Sequence, residues 1–228
     1  MGIALVVFDL AGTTVKDDKD IHKVLQQTLA EHQVSIALDD ANAVMGIPKP
    51  IAIRQLLEHR YTGNKAVTEE WIEEIHAAFV DRMINFYKYD ASVGEKDGVS
   101  ATFKKLKESK LKIVVDTGFD RQITDPLLDR LGWMENNLID GSVTSDEVER
   151  GRPHPDMIFR AMELTGVTDV RQVAKVGDTA SDMQEGLSAG CKYVIGITSG
   201  AFTHEQLEQE NPTHLINHIS QLPAIVLN

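Results

Sequence analysis

The chain opens on a wholly apolar run, Ile3-Ala4-Leu5-Val6-Val7-Phe8, which ends in Asp9 and a Gly12-Thr13-Thr14 turn. A short apolar run closed by a turn signal predicts a strand buried on both faces, as in a parallel sheet. The period then changes. Ile21, Val24, Leu25 and Leu29 recur at helical spacing and predict a helix over 20–33. Asp39 and Asp40 suit the cap of a second short helix ending near Met45-Gly46. The prolines on either side of Lys49 predict a break over 47–50, with a helix from 51 to 58 after it. From Thr68 as N-cap, Trp71, Ile72, Ile75, Phe79, Met83 and Phe86 mark one face of a long helix reaching about Tyr87. No strand pattern falls between 16 and 90.

Beyond residue 90, strands and helices alternate. A helix near 100–107 precedes a strand over 111–115, and a helix marked by Ile123, Leu127, Leu128 and Leu131 stops at Gly132. A weaker strand lies at 141–144, followed by a helix carrying Met157, Ile158, Ala161 and Met162. Strands over 173–176 and 193–197 flank a helix ending at Ala189-Gly190, and 214–216 reads as a last short strand. This alternation implies βαβ units and a parallel sheet. The expected fold is α/β: a doubly wound, Rossmann-like core of residues 1–15 and 91–228, with a helical cap of residues 16–90 inserted directly after the first strand.

Composition narrows the functions open to such a fold. The 228 residues, 42% hydrophobic, suffice for one core with an insert. A net charge of -12 opposes nucleic acid and anionic membrane as partners. It would also repel a phosphorylated substrate, so a phosphate site here needs a local cation, and a divalent metal is the expected device. The single cysteine, Cys191, excludes an internal disulfide and a cysteine-based zinc site; it reads as a buried structural thiol in a reducing compartment. No stretch approaches transmembrane length, and Met1-Gly2 leads into the strand without a basic leader, so a soluble cytoplasmic protein is expected. The oligomeric state stays open, a homodimer included.

Four polar motifs end predicted strands or occupy the loops after them: Asp9-Leu10-Ala11-Gly12-Thr13, Asp116-Thr117-Gly118, Gly151-Arg152-Pro153 and Gly177-Asp178-Thr179-Ala180-Ser181-Asp182. In a parallel sheet they converge on one edge, where open α/β sheets bind ligands. Their chemistry is coherent. An aspartate can accept a phosphoryl group covalently, carboxylates from several loops suit Mg²⁺, turn N–H groups and hydroxyls hold phosphate oxygens, and an arginine neutralises the transferring group.

This set, in this order and with a helical insert between the first and second motifs, resembles the haloacid dehalogenase superfamily of phosphohydrolases. The resemblance implies that Asp9 is the nucleophile, that Asp9, the main-chain carbonyl of Ala11, Asp178 and Asp182 hold Mg²⁺, and that Arg152 orients Asp9 and the phosphoryl group. Ala11, Gly12, Thr13, Met45, Gly46, Thr117 and Gly118 are the implied substrate- and phosphate-binding positions. Most members carry an acid two residues after the nucleophile and a lysine in the third motif, where this chain has Ala11 and Arg152. Both features match the phosphonatase (phosphonoacetaldehyde hydrolase) branch, in which a cap lysine forms an imine with a substrate aldehyde before carbon–phosphorus cleavage. That branch's cap motif, Met-Gly, two residues, then lysine, is matched by Met45-Gly46-Ile47-Pro48-Lys49. Losing a general acid at position 11 should slow ester hydrolysis by about 10²–10⁴-fold, unless the leaving group carries its own electron sink, as a protonated imine does. The chain departs from the branch at Ala52, Phe119 and Lys19, where phosphonatase has histidine, tyrosine and cysteine.

The implied activity is a Mg²⁺-dependent release of phosphate from a small organophosphonate or phosphorylated metabolite, through an aspartyl-phosphate. Three alternatives stay open: a phosphate monoester phosphatase in which Lys49 only contacts substrate, a phosphomutase, disfavoured by Ala11, and a non-catalytic metabolite-binding module. Lys49 itself reads as imine former, substrate contact or solvated surface residue. Asp17, Asp18 and Asp20 read as a solvated hinge, His59 and His76 as surface or packing residues, and His154 as the one histidine beside a motif.

Overall fold

A computed structural model describes residues 2–228. Its β1 (Leu5–Asp9) lies between β2 (Lys112–Thr117) and β4 (Val173–Gly177). With β3 (Gly141–Thr144), β5 (Tyr193–Ile197) and β6 (His214–Ile216) they form a six-stranded sheet of order β3-β2-β1-β4-β5-β6, parallel throughout. This is the doubly wound α/β architecture that the sequence pattern predicts.

Side chains alternate across the strands, and the two faces carry separate apolar clusters. Val6 and Phe8 join Ile113, Val115, Ala174 and Val176 on one face, packed with Val99, Phe103 and Leu106 of α5 (Val99–Glu108). Leu5 and Val7 join Val114, Val143 and Val173 on the other, packed with Met157, Ile158 and Ala161 of α7 (Asp156–Thr165). Asp9, Asp116 and Lys175 share the second face by register, because Asp9 pairs with Asp116 and Val7 with Lys175.

Residues 20–89 hold α1 (Asp20–Glu31), α2 (Leu38–Asn42), α3 (Lys49–Arg60) and α4 (Glu69–Tyr89), and no strand. Their apolar faces, including Leu25, Leu29, Ile53, Trp71, Ile75 and Phe79, continue the first cluster without interruption. Thr68 caps α4, its hydroxyl accepting from the Trp71 amide at 3.3 Å. Three details differ from the sequence pattern. The helix expected from residue 51 starts at Lys49, with Pro50 in its first turn; N–H groups there have no intrahelical acceptor, so a proline is tolerated. Asp39 and Asp40 lie inside α2 rather than before it, and Asp40 Oδ2 accepts from the Ala37 amide at 2.9 Å. The buried stripe of α4 ends on Tyr87, while Phe86 is half-buried. The remaining helices are α6 (Arg121–Leu131), α8 (Ala180–Ala189), α9 (His204–Glu208) and α10 (Pro223–Val226). Among the described residues no helix is long and apolar enough to cross a membrane.

Phe103 joins strand and helix layers, its ring 5.0 Å from Phe8 and 5.3 Å from Trp133. Phe103→Ala should cost about 3–5 kcal/mol, because a fully buried aromatic leaves a cavity that its neighbours fill only in part. Urea unfolding measures this; a loss below about 1 kcal/mol would show that the ring cluster does not hold the layers together.

Candidate active site

The carboxyl ends of the strands bring the four motifs together. Asp9 ends β1 and Asp116 lies beside it on β2. Lys175 sits in β4, and α8 presents Asp182 and Glu185 to the same face of the sheet, three residues apart and so on one helical side. Into this group the loop after β3 inserts Arg152, which is 1% exposed. Its Nη1 donates to Asp9 Oδ1 at 2.6 Å and lies 3.0 Å from Asp182 Oδ1. Its Nε donates to Glu185 Oε2 at 3.0 Å, and its Nη2 to both the carbonyl (3.1 Å) and the carboxylate of Asp116. Lys175 Nζ lies 2.5 Å from Asp116 Oδ1, 2.8 Å from Glu185 Oε2 and 3.3 Å from Asp182 Oδ1.

Two buried cations thus face four buried carboxylates, and the excess of negative charge shows in their proton affinities. Burial, then the charge of Asp182, pushes the Asp9 carboxyl up to about 7. Burial, then Asp116, pushes Glu185 up to about 8. Burial opposes the ionised form of Asp182 as well, but Arg152 and Lys175 prevail and hold it below the usual range. Burial and Arg152 likewise work against the Lys175 ammonium, and its three carboxylate partners outweigh both.

Asp178 completes an acidic group with Asp9 and Asp182, their oxygens all within 4.8 Å of one another. A hydroxyl and an amide hold it rather than a cation: Thr13 Oγ1 donates to its Oδ1 at 3.0 Å and the Ala201 amide to its Oδ2 at 2.6 Å. Burial, then Asp9 and Asp182, drives its carboxyl well above the ordinary range. Gly12, at φ +85°, passes so close that a Cβ there would collide with the Asp178 carboxylate. Lys96 ties the two loops that grip Asp178, donating to Gly12 O at 2.6 Å and to Ser199 O and Oγ at 2.9 Å each. An all-oxygen donor set, crowded, negatively charged and uncompensated on the Asp178 side, fits a hard divalent cation.

The segment 45–49 closes over these loops. Gly46, at φ +79°, lies against the hydroxyls of Thr179 and Ser181, and its carbonyl and that of Ile47 press on Gly118, where a Cβ would come within 3.0 Å. Ser181 Oγ approaches Met45 O at 3.4 Å. Beneath the segment is a cavity with room for about 30 Å³ of water centres, lined by Asp9, Ala11, Met45, Gly46, Lys49, Thr117, Gly118 and Asp178, together with Asp17, His22 and Phe119 among others.

Lys49 is therefore not a solvated surface residue. It is 4% exposed, its Nζ lies 3.5 Å from Ile47 O and 5.3 Å from the centre of the Phe119 ring, and it stands at the first position of α3. Burial lowers its pKa to about 8, and the positive end of a helix also favours the neutral amine. Of the residues expected from the motifs, Asp9, Ala11, Met45, Gly46, Lys49, Thr117, Gly118 and Asp178 line this cavity, while Arg152 and Asp182 lie behind it, next to Asp9. Gly12 and Thr13 do not line it; they support Asp178 from the far side. Asp17, expected in a solvated hinge, lines the cavity instead, because its Oδ1 caps α1 through the Asp20 amide at 2.7 Å. His154 is exposed and His22 is the histidine at the site. Lys175, Glu185, His22 and Asp17 escape a motif-based reading. Lys175 carries a usable signal, since a lysine inside the apolar run Val173–Gly177 must be buried and hence paired.

The chain belongs to the haloacid dehalogenase-like hydrolases: the family model of that description matches residues 6–196. Within the family its relatives include phosphonoacetaldehyde hydrolases. It is 32% identical to the Bacillus mycoides enzyme over 94% of its own length and 84% of the relative's, and 31% identical to that of Bacillus anthracis over the same shares. Among solved structures, a phosphonoacetaldehyde hydrolase-like protein from Oleispira antarctica superposes with a TM-score of 0.87 at 20% identity, covering all of this chain and 92% of that one. A hydrolase from Pseudomonas syringae gives 0.85 at 19% identity, covering 98% and 99%. The resemblance to the phosphonatase branch holds at the level of sequence, and these structures share the fold.

The raised affinity of Glu185 fixes the sign of a pH effect. The folded state keeps this proton up to about pH 8, whereas an ordinary glutamate releases it near 4.5. The group therefore favours folding below pH 4.5 and loses that contribution as pH rises through 8. Between pH 5 and 8, in metal-free buffer, the melting temperature of the wild type should fall relative to that of Glu185→Gln. A difference that stays flat across this range would exclude a proton on Glu185.

Proposed function

We propose that this protein is a Mg²⁺-dependent, phosphonatase-like hydrolase that releases phosphate from a small organophosphonate carrying an aldehyde or ketone carbonyl. The observation that carries the reading is the seclusion of Lys49 in one cavity with Asp9: a buried lysine of lowered pKa at the start of a helix, lining the same cavity as the carboxylate whose charge acts on it. An amine must be neutral to attack a carbonyl, and burial supplies a neutral fraction near pH 7–8. We take residues 16–90 as the cap and residues 1–15 and 91–228 as the core.

In this reading Lys49 condenses with the carbonyl, and the resulting iminium serves as electron sink. Asp9 Oδ attacks phosphorus, the pair of the carbon–phosphorus bond passes into the iminium to give an enamine, and water later cleaves the aspartyl-phosphate. Arg152 fixes the Asp9 carboxylate and offsets its charge; its other N–H groups are committed to Asp116, Asp182 and Glu185, so its role is to hold the nucleophile. Thr117 and Gly118 offer phosphate oxygens a hydroxyl and backbone. Asp9, Asp178 and Asp182 would hold Mg²⁺, with the Ala11 carbonyl as a further ligand on this reading, and the ion would supply the charge neutralisation that a dianionic substrate needs at so acidic a site. Ala11 fits this scheme, because a carbon leaving group drained by an iminium needs no acid from the core.

The closed cavity is tight, leaving only about 30 Å³ in which water centres can lie, room for very few of them. Segment 45–49 must lift to admit substrate, and its return excludes water. This favours a substrate of few carbons.

Two measurements test the reading. Wild type with Mg²⁺ and phosphonoacetaldehyde, quenched with borohydride, should yield a reduced adduct whose mass maps to Lys49, and Lys49→Arg should yield none. Phosphate esters turned over without any adduct would replace this reading with that of an ester phosphatase. Separately, Asp9→Asn and removal of metal with EDTA should each lower phosphate release by at least about 10³-fold, the scale on which removing a nucleophile or its stabilising charge acts; Mg²⁺ should restore only the EDTA-treated wild type.

A further inference from the structure

One buried ring nitrogen in the wall of this cavity has no hydrogen-bond partner. His22 lies in the first turn of α1 with its side chain 2% exposed, and it is the histidine among the described residues that lines the cavity. Its Nε2 is 3.0 Å from Asn42 Oδ1. A side-chain carbonyl only accepts, so Nε2 carries the hydrogen and Nδ1 presents a lone pair. That Nδ1 makes no hydrogen bond, and the atom it faces, Asp17 Oδ2 at 3.9 Å, is another acceptor. Asp17 does not turn away because its Oδ1 is held by the Asp20 and Ile21 amides as the cap of α1. Two acceptors thus confront each other across a gap in the wall of a cavity that Lys49 also lines, and the Lys49 charge acts on both the ring and the carboxylate side of that wall. A buried acceptor without a donor is costly, and what the arrangement lacks is a group that brings a proton.

We propose that His22, held by Asn42 and backed by Asp17, is the catalytic acid–base group that moves protons between Lys49 and the substrate carbonyl oxygen. The inference rests on the imine reading given above. The steps balance as follows. His22 Nδ1 takes one proton from the Lys49 ammonium, and the freed Nζ lone pair forms a bond to the carbonyl carbon while the carbon–oxygen π pair moves to oxygen. The Nδ1–H gives its proton to that oxygen, and the emptied Nδ1 takes a second proton from the nitrogen, giving the carbinolamine. His22 then gives this second proton to the hydroxyl, the carbon–oxygen bond breaks, and the nitrogen lone pair closes the iminium. One ammonium and one carbonyl become one iminium and one water, with no outside reactant. Asp17 stabilises the imidazolium in each protonated interval and thereafter lies near the iminium charge. The carbinolamine hydroxyl is the donor that fits between Nδ1 and Asp17 Oδ2. The ligand class is therefore a short aldehyde or ketone; an ester with no carbonyl leaves the pair unmatched.

The test is the rate of borohydride-trapped adduct formation on Lys49 with phosphonoacetaldehyde. His22→Ala should slow trapping by about 10²–10⁴-fold, the usual worth of positioned acid–base help. Added imidazole, for which the truncation leaves room, should restore part of the rate in His22→Ala and change nothing in wild type. Melting curves of His22→Ala and of the bulkier His22→Gln separate a folding defect from a chemical one. A wild-type adduct together with unchanged trapping in a folded His22 variant overturns this proposal alone, as does a loss that imidazole fails to rescue in both folded variants. Absence of any wild-type adduct overturns the imine reading and this assignment together.

Discussion

Two buried cations held among four carboxylates set the terms for the rest of this molecule. Arg152 and Lys175 are fully enclosed, as are Asp116, Asp182 and Glu185, and Asp9 is nearly so. Taking such charges out of water is costly, and the attraction between them repays the cost only when the geometry is good and most polar atoms are matched. The geometry is supplied by secondary structure. Parallel register sets Asp9 beside Asp116, the period of β4 turns Lys175 to the same face, and the helical period of α8 aligns Asp182 with Glu185. Arg152 arrives on a loop and is fixed from four directions. Taking away one partner would strand its opposites in a low-dielectric interior, which in comparable cases costs about 3–5 kcal/mol. The arrangement therefore constrains β1, β2, β4, α8 and the 145–155 loop to one mutual position, and that position is also the one that aims Asp9 upward into the cavity.

The excess negative charge of this group is as important as its order. A phosphate-bearing molecule would be repelled by Asp9, Asp178 and Asp182 without further help, and the two cations bound to the carboxylates, Arg152 and Lys175, lie outside the cavity that Asp9 lines. The front of the site is left to groups that are neutral or variable in charge: the backbone of Gly118, the Thr117 hydroxyl and the Lys49 amine. Such a division separates two tasks. On the reading proposed above, the rear network holds the nucleophile whatever the state of the reaction, while the front wall changes charge as the reaction proceeds. Segment 45–49 belongs to the front, and its close packing through Gly46 onto Thr179 and Ser181 couples the position of Lys49 to the loop that carries Asp178.

Much of this was legible in the residues because it follows from local pattern. The run of six apolar residues before Asp9, and the shorter apolar stretches broken by Lys112 and Lys175 before Asp116 and Gly177, read as buried parallel strands whose polar ends meet. Helical period alone showed that residues 20–89 carry no strand. What the pattern hid has specific physical causes. Pro50 marks a break by its usual preference yet is harmless in a first turn, so α3 begins earlier and Lys49 becomes a helix-start residue. Asp17, Asp18 and Asp20 look like a solvated acidic run, and only the capping of α1 by Asp17 turns one of them inward. Lys175 and Glu185 belong to no motif, and two of their partners come from distant segments: Arg152 lies 33 residues from Glu185 and Asp116 lies 59 from Lys175. His22 sits one residue after an apolar position of an amphipathic helix, and a single chain carries no sign that α2 will bring Asn42 against it.

Ala11 and His22 bear on one question, where the protons of the reaction are handled. In most of the family the core supplies an acid two residues after the nucleophile; this chain has a methyl group there, and of the titratable side chains that line the cavity Asp17, His22 and Lys49 come from the segment between the first two strands. On the reading proposed above, phosphorus chemistry belongs to the core and carbonyl chemistry to the cap. The two can act on one molecule only while segment 45–49 is closed. A nucleophile exposed with the cap raised would meet water and adventitious phosphate esters, but without an acid on the core those esters leave slowly. The missing carboxylate at position 11 then serves selectivity: it suppresses the ester reaction that an open site would otherwise catalyse, and it costs nothing to a substrate whose leaving group is activated from the other side of the cavity.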